Sequence, residues 1–292
     1  MTIRDQYDPA ICCYCGSDKY SLVVAGPIVP VIACAQCGLM RQGLPSGAES
    51  WSIESYAGGK DRFVQQRKDK ESAQIADFLK IILKLEQYIP EKGHLLEIGC
   101  AMGTFLYEVQ KLGWQVTGVE PEKWTCEIAR NQYGLDVINS TFQEANLEDS
   151  SFDAVLMLHV IEHLPNPVEG LSLIAKMIRP GGFLVLETPR YDTLWFKLLK
   201  GKERSVIAGH YYYFTRRTIR TLAQNSGFEV VRLDSVGRTV TLDRLSFYAA
   251  KFINSDRVTS VLTHLSDILH LNKVRVHINL HDMMRLYLRK VG

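Results

Sequence analysis

With 292 residues, the chain has room for one large domain and a small accessory module, not two full-sized domains. Its 46% hydrophobic and 23% charged content is that of a globular protein with ample apolar material for a core. A formal net charge of +2 lacks the strong basic excess of a dedicated nucleic-acid binder. The first ten residues mix charges of both signs and do not read as a secretory leader. The apolar stretch Leu22–Ala35 is too short to span a bilayer and contains Pro27 and Pro30. The expectation is a cytoplasmic protein without a transmembrane segment, whose thiols stay reduced.

Five of the seven cysteines fall within the first 37 residues. Cys12 and Cys15 form one C-x-x-C pair, Cys34 and Cys37 another, and each pair is followed by a glycine, Gly16 and Gly38. Two such pairs supply four thiolates for one tetrahedral zinc ion. The glycines let the chain turn so that backbone N–H groups face the sulfurs. A disulfide framework conflicts with a reducing compartment, and a thioredoxin-like redox pair needs no second pair. Four cysteine ligands leave no open coordination position, so this zinc would be structural and not catalytic. It would hold together a segment too short to fold on its own apolar core, a zinc-ribbon module over residues 1–45. Cys13 is a spare, while Cys100 and Cys126 read as core residues.

Residues 46–92 read as a linker followed by a helix. Ile75, Phe78, Leu79, Ile82, Leu83 and Leu85 recur at helical spacing before Pro90 and Gly93 end the pattern. From His94 strands and helices alternate. Strands are expected at Leu95–Ile98, Gln115–Val119, Ala154–Leu158 and Phe183–Glu187, with helices at Thr104–Leu112, Lys123–Tyr133 and Pro167–Ile178. Strands that are nearly all apolar argue for a parallel sheet covered on both faces. Ligands of such sheets bind at the carboxyl ends of the strands, where the topology reverses.

Four motifs sit at those ends. The first is Leu95-Leu96-Glu97-Ile98-Gly99-Cys100-Ala101-Met102-Gly103-Thr104-Phe105, a strand, a glycine-bearing turn and a helix start. It does not match the G-x-G-x-x-G dinucleotide fingerprint. The second is Gly118-Val119-Glu120-Pro121, with an acidic side chain placed to accept hydrogen bonds from ribose hydroxyls. The third runs from Ser151 through His159-Val160-Ile161-Glu162-His163 to Leu164, and the fourth is a Pro180-Gly181-Gly182 turn entering the strand that ends in Glu187.

In this order, over about residues 93–237 with a returning strand near 282–290, the motifs resemble the class I S-adenosylmethionine-dependent methyltransferases. The resemblance implies an α/β, Rossmann-like, seven-stranded and mostly parallel sheet with helices on both faces and the last strand antiparallel. It also implies that Glu97, Gly99 and Gly103, with Ala101 where many members have glycine, line the methionine part of the cofactor. Glu120 would hold the ribose and Phe142 and Gln143 the adenine, while His159 lies where the chain passes the sulfonium. The N-terminal C-x-x-C pairs and the Tyr56-bearing linker resemble a narrower group, associated with modification of sugars, surface polysaccharides or secondary metabolites.

The sulfonium makes the methyl electrophilic, so alignment of a nucleophile dominates, and a hydroxyl acceptor also needs a base. His159, His163 and His210 are the catalytic candidates. A metal at Glu162 and His163, as in related quinone O-methyltransferases, is a second reading of that segment, although His159 stands where that pattern is acidic. A purely structural role for His163 is a third. Of Tyr211, Tyr212, Tyr213 and Phe214, at least two are expected to pack against the helix at 218–226. The basic run of Lys197, Lys200, Lys202 and Arg204 reads either as a solvated loop or as a contact for a nucleotide-sugar or lipid-carrier phosphate.

Residues 241–275 interrupt the domain, which is expected over 93–240 and 276–292. Val258, Val261, Leu262, Leu265, Ile268 and Leu269 suggest an amphipathic helix acting as a lid, with a dimer or peripheral membrane contact as alternatives. The leading expectation is methyl transfer to a small-molecule or glycan acceptor. A ribosomal or transfer RNA methyltransferase gripping RNA through the ribbon is a rival, opposed by Lys19 being the one cationic side chain in residues 11–40. A degenerate, non-catalytic cofactor-binding module is the other rival.

Overall fold

The computed structural model describes residues 10–25, 30–43, 75–203, 205–207, 209–242, 269 and 274–292. The expected linker core (44–74), the proposed lid helix and Arg204 lie outside the described residues. The chain forms two compact units, the first drawn from Met1–Ser52, Ile81–Val236 and His281–Gly292, the second from Ile53–Lys80 and Gly237–Leu280.

The first unit begins with three antiparallel strands, β1 (Tyr20–Val24), β2 (Val31–Cys34) and β3 (Met40–Gln42). A helix over 75–85, α1, contributes Ile81, Ile82 and Leu85 to the core. There follow β4 (His94–Ile98), α2 (Thr104–Lys111), β5 (Gln115–Val119), α3 (Lys123–Tyr133), β6 (Val137–Ile138), β7 (Phe152–Leu158), α4 (Pro167–Met177) and β8 (Ile178–Pro189). The remaining elements of this unit are α5 (Leu194–Leu199), β9 (Tyr212–Tyr213), α6 (Arg216–Asn225), β10 (Phe228–Ser235) and, closing the chain, the last strand at Met283–Lys290.

Seven strands form one sheet in the order β10, last strand, β8, β7, β4, β5, β6. The β4–β5, β5–β6, β4–β7 and β7–β8 pairs are parallel, whereas the last strand runs antiparallel to both β8 and β10. From β4 the chain winds outward to β5 and β6, then returns to add β7 and β8 on the other side. That reversal opens a crevice at the carboxyl ends of β4 and β7, the place such sheets use for ligands. Leu95, Leu96, Ala154, Val155, Leu156, Met157, Leu184, Val185 and Leu186 are buried, as strands covered on both faces require.

Local signals set the boundaries. Asn166 caps α4 by accepting from the Glu169 N–H at 3.2 Å, and Pro167 fills the first helical position. Gly134 ends α3 in the left-handed conformation. Thr215 and Thr218 form a reciprocal capping box that starts α6.

The cysteine-bearing strands are not a self-contained module. Their sheet has the order β1-β2-β3-β9, so Tyr212 and Tyr213 supply its fourth strand, paired antiparallel with Arg41 and Met40. Tyr212, Tyr213 and Phe214 are buried, and Tyr211 is exposed. Three of the four aromatics are thus packing residues.

In the second unit Arg238–Thr241 (β11) and Arg275–Ile278 (β12) form an antiparallel ribbon; the last strand of the first unit is accordingly β13. Asp77 accepts from the Thr239 N–H and from Lys80, both at 2.8 Å. Thr241 and Arg275, at the ends of the expected insertion, are strand residues, while the positions Val258 to Ile268 that suggested its helix lie outside the described residues. The first unit stops at Val236 and resumes at His281, inside the expected boundaries of 240 and 276.

Candidate active site

The turn after β4 has the backbone that its sequence foretells. Gly99, Ala101 and Gly103 all have positive φ, at 76°, 50° and 75°. A Cβ on Gly99 would lie 2.7 Å from Val160 Cγ2, so glycine is required there by both space and conformation. Ala101 holds a left-handed conformation that costs an L-residue roughly 1–2 kcal/mol. The departure from glycine is thus a backbone strain and not a steric plug. Ala101→Gly is expected to raise stability by up to about 1 kcal/mol, with the gain trimmed by the extra freedom of the unfolded chain, as chemical denaturation would read.

Glu120 follows β5 beside this turn. Its Oε2 accepts from the Ala101 N–H and its Oε1 from the Glu122 N–H, both at 3.0 Å. Glu97 is buried at the end of β4. Two carboxylates at adjacent strand ends, over a turn of positive φ, suit a ligand with a cationic amino group and a vicinal diol. Phe142 is 4% exposed and packs within the main core, whereas Gln143 is half-buried.

The third motif divides its side chains between two networks. His159, itself at φ 59°, sits between two carboxylates: Nδ1 is 3.6 Å from Glu162 Oε1 and Nε2 is 3.3 Å from Glu187 Oε1. Glu187 is in turn gripped by Arg285 from β13, at 2.8 Å through Nε and 2.6 Å through Nη2. Glu162 Oε2 accepts from the Thr188 hydroxyl at 2.9 Å. Burial opposes charge on His159, but the two carboxylates outweigh it and hold its pKa above the ordinary histidine value. Burial likewise opposes ionisation of Glu187, yet Arg285 and His159 bring it down to about 2. Glu162 is also lowered, against burial, by the same imidazole. The network is a line of alternating basic and acidic groups, Arg285–Glu187–His159–Glu162.

The second network holds the other two histidines. His163 Nδ1 donates to the Gly209 carbonyl at 2.8 Å, and the His163 and His210 rings meet edge to face, 4.7 Å between centroids. Tyr191 donates its hydroxyl proton to the Ser205 carbonyl, so His210 Nδ1 donates to the Tyr191 oxygen, 3.4 Å away. In their neutral forms both rings therefore leave Nε2 as the acceptor nitrogen. Burial, opposed by the Glu162 carboxylate but reinforced by the neighbouring imidazoles, pushes His210 down to about 4 and keeps it neutral near pH 7. Glu162, His163 and His210 bring one ligand atom each within 4.8 Å of one another.

The four expected thiolates also converge. Cys12 Sγ lies 3.6 Å from Cys37 Sγ, and Cys15 Sγ lies 3.5 Å from Cys34 Sγ, with all four within 4.8 Å. A tetrahedral ion with Zn–S bonds near 2.3 Å needs sulfur separations of about 3.8 Å, so the set is close to that size. The Gly16 N–H donates to the Cys12 carbonyl and the Gly38 N–H to the Cys34 carbonyl, each at 2.9 Å, which closes two matching knuckles. Burial works against charge on these thiols and raises Cys12 and Cys37. At Cys34 it is outweighed by the Cys37 and Gln36 N–H groups and the nearby sulfurs, giving about 6.

Sequence reasoning missed Glu187, Arg285, Thr188 and Tyr191 as site residues. Glu187 ends the fourth motif, and a carboxylate at a strand end was a usable signal. Arg285 had none, because it faces Glu187 across 98 residues.

This fold and these strand ends define an α/β protein built around a nucleoside-type cofactor. Residues 66–233 match a family model described as a methyltransferase domain. The chain belongs to that family, and its domain is of the class I S-adenosylmethionine-dependent type. A ubiquinone biosynthesis O-methyltransferase of Coxiella burnetii is 31% identical over 110 residues, covering 36% of this chain and 47% of that protein. The Caenorhabditis elegans sterol 4-C-methyltransferase strm-1 is 28% identical over 156 residues, covering 48% of this chain and 46% of its own. The matched region thus spans about half the length of these curated relatives. Among solved structures, an Archaeoglobus fulgidus methyltransferase aligns with a TM-score of 0.52 at 20% identity, covering 79% of this chain and 100% of that one. A Thermotoga maritima protein, described as a possible histamine N-methyltransferase, aligns at 0.51 and 20%, covering 79% and 97%. These two likenesses bear on fold alone. Among the described residues no helix is long and apolar enough to cross a membrane.

Proposed function

We propose that this protein transfers a methyl group from S-adenosylmethionine to a hydroxyl oxygen of a small-molecule or glycan acceptor, with His210 as proton acceptor. The carrying observation is the contrast between two histidines near Glu162, one following β7 and the other in the loop before β9. His159 is biased toward its charged form by two buried carboxylates, while burial holds His210 neutral, with Nδ1 on the Tyr191 oxygen. A neutral imidazole can take the acceptor proton, and bias toward the charged form works against that role. The similarity to a ubiquinone biosynthesis O-methyltransferase and a sterol 4-C-methyltransferase supports a small-molecule acceptor.

S-adenosylmethionine, when bound, supplies an electrophilic methyl on a sulfonium. Gly99 to Gly103 and Glu97 would hold its methionine part and Glu120 its ribose. His210 removes the acceptor proton as oxygen attacks, and His163 fixes the His210 ring by edge contact. His159, its pKa raised by Glu162 and Glu187, orders those two carboxylates. We also assign zinc to Cys12, Cys15, Cys34 and Cys37, in a structural role.

Calorimetric titration of S-adenosylmethionine into wild type and Glu120→Ala tests the cofactor site. The variant should bind about 10- to 100-fold more weakly, the worth of one or two charge-assisted hydrogen bonds. Equal affinity would remove Glu120 from the site, and no binding by the folded wild type would revive the non-catalytic module. With an acceptor found, kcat/KM should stay flat from pH 7 down to near 5, because His210 protonates only toward about 4. An acid limb near 6.5 would transfer the base role to another histidine.

A second reading has its own observation: Glu162, His163 and His210 could hold a divalent cation through their converging ligand atoms. Loss of turnover in EDTA, with the cysteine-bound metal retained and activity restored by one metal, would favour it over His210 as a free base.

A further inference from the structure

Helix α5 carries large apolar side chains that the core does not use. Its one buried residue, Phe196, packs with Tyr191, Val206 and Tyr213 and with Val24, Val31 and Met40 of the ribbon sheet. The Thr193 hydroxyl caps its start by accepting from the Phe196 N–H at 3.0 Å. Six residues are too few to form a helix in water unaided, so this cap and this anchor hold it. Leu194, Trp195 and Leu198 point away from the anchor and are 70%, 47% and 66% exposed. At 100° per residue these three cover an arc of about 100°, one continuous face. Lys197 and Lys200 are exposed beside it. From Thr193 to Lys202 there are three lysines and no acidic residue, and the next acid, Glu203, is buried and accepts from the Ser205 N–H.

We propose that this face docks on an anionic lipid bilayer, with Leu194, Trp195 and Leu198 at the headgroup–acyl boundary and Lys197 and Lys200 against headgroup phosphates. An exposed tryptophan among leucines, flanked by lysines, is the composition of interfacial anchors. A second copy of the chain fits less well. It would set the same lysines against each other, and three side chains fall short of the roughly 800 Å² per partner of a stable interface. The anchor also reaches the site: the Tyr191 ring lies 5.2 Å from Phe196, and the Tyr191 hydroxyl is the partner of His210. A docked α5 therefore presents the His210 side of the molecule toward the bilayer. The docking itself does not depend on which acceptor is methylated.

Co-sedimentation of the full chain with phosphatidylglycerol–phosphatidylcholine vesicles, and with phosphatidylcholine alone, tests this. Binding is expected to the anionic vesicles and to weaken in high salt. Leu194→Ser with Leu198→Ser should lower partitioning at least about tenfold. Lys197→Gln with Lys200→Gln should cost about fivefold per lysine and, being exposed, leave the fold intact. Cofactor affinity should be unchanged in both variants. The proposal is overturned if wild type ignores anionic vesicles at low salt or if both variants bind like wild type. It is equally overturned if sedimentation velocity shows the leucine variant converting a dimer to monomer, since the face is then a contact between copies.

Discussion

In a Cys34→Ser variant, the His210 pKa is expected to climb from about 4 toward the ordinary histidine value of about 6.5, while cofactor affinity stays within about threefold of wild type. The reason is the path of backbone hydrogen bonds from the cysteines to the histidines. Cys34 ends β2, β2 pairs with β3, and β3 pairs with β9. The Gln42 N–H donates to the Tyr211 carbonyl, and the Tyr211 N–H donates to the Glu162 carbonyl at 2.8 Å. His210 is the residue next to Tyr211. With zinc in the site proposed above, losing one of four thiolates would release the ion and loosen these strands, and with them the burial that depresses His210. The cofactor turn and Glu120 hang on β4 and β5, which belong to the seven-stranded sheet and not to the ribbon sheet. Turnover should fall about 100-fold, the usual effect of displacing a reacting group by an ångström. Imidazole titration by NMR, metal analysis and calorimetry together check this. An unchanged His210 titration in metal-free protein would make the ribbon a passenger, and a joint loss of cofactor binding would mean general unfolding.

Arg285→Met should be the most destabilising single change in the site, costing about 3–5 kcal/mol and lowering Tm by roughly 6–15 °C. It strands Glu187, 2% exposed, with His159 as its one remaining charged partner. Glu187→Gln in the same chain should restore most of the loss, because a buried pair replaced as a pair is far cheaper than one broken. Thermal unfolding of the two single variants and the double variant forms the cycle that checks this, and additive losses would show that the residues do not act as a unit.

The pH dependence has a definite sign. Glu187 is depressed from 4.5 to about 2, so its stabilisation, about 3 kcal/mol, is complete above pH 4.5 and drains away as pH falls toward 2. His159 is raised, so its contribution is complete below 6.5 and is lost as pH rises through its folded value. Wild type should therefore draw most from this network between about pH 4.5 and 6.5. Arg285→Met should therefore cost most above about pH 4.5 and least toward pH 2, where Glu187 is protonated with or without its partner.

The elements with a local cause could be read from the chain. The alternation of apolar strands with helices, the Gly99–Gly103 turn and Glu120 after β5 each follow from a few adjacent residues, because periodicity, glycine and strand ends act over short range. The two C-x-x-C pairs are of the same kind, since each knuckle closes on its own four residues. That is why fold class, domain family and cofactor class were legible before any coordinate. What the tertiary structure decided is which distant side chains share a cavity. The sequence placed His159 and His163 together as neighbours, yet β8 and β13 draw His159 to Glu187 and Arg285, while the loop before β9 draws His163 to Gly209, 46 residues away. His210 became a neutral base candidate only through burial against Tyr191 and His163. The ribbon, self-contained in the sequence, completed its sheet with Tyr212 and Tyr213. The physical reason is common to all four: burial and charge pairing are properties of the packed neighbourhood. A linear pattern specifies the strands that bring such groups together, while the side chains that meet depend on sheet order and register.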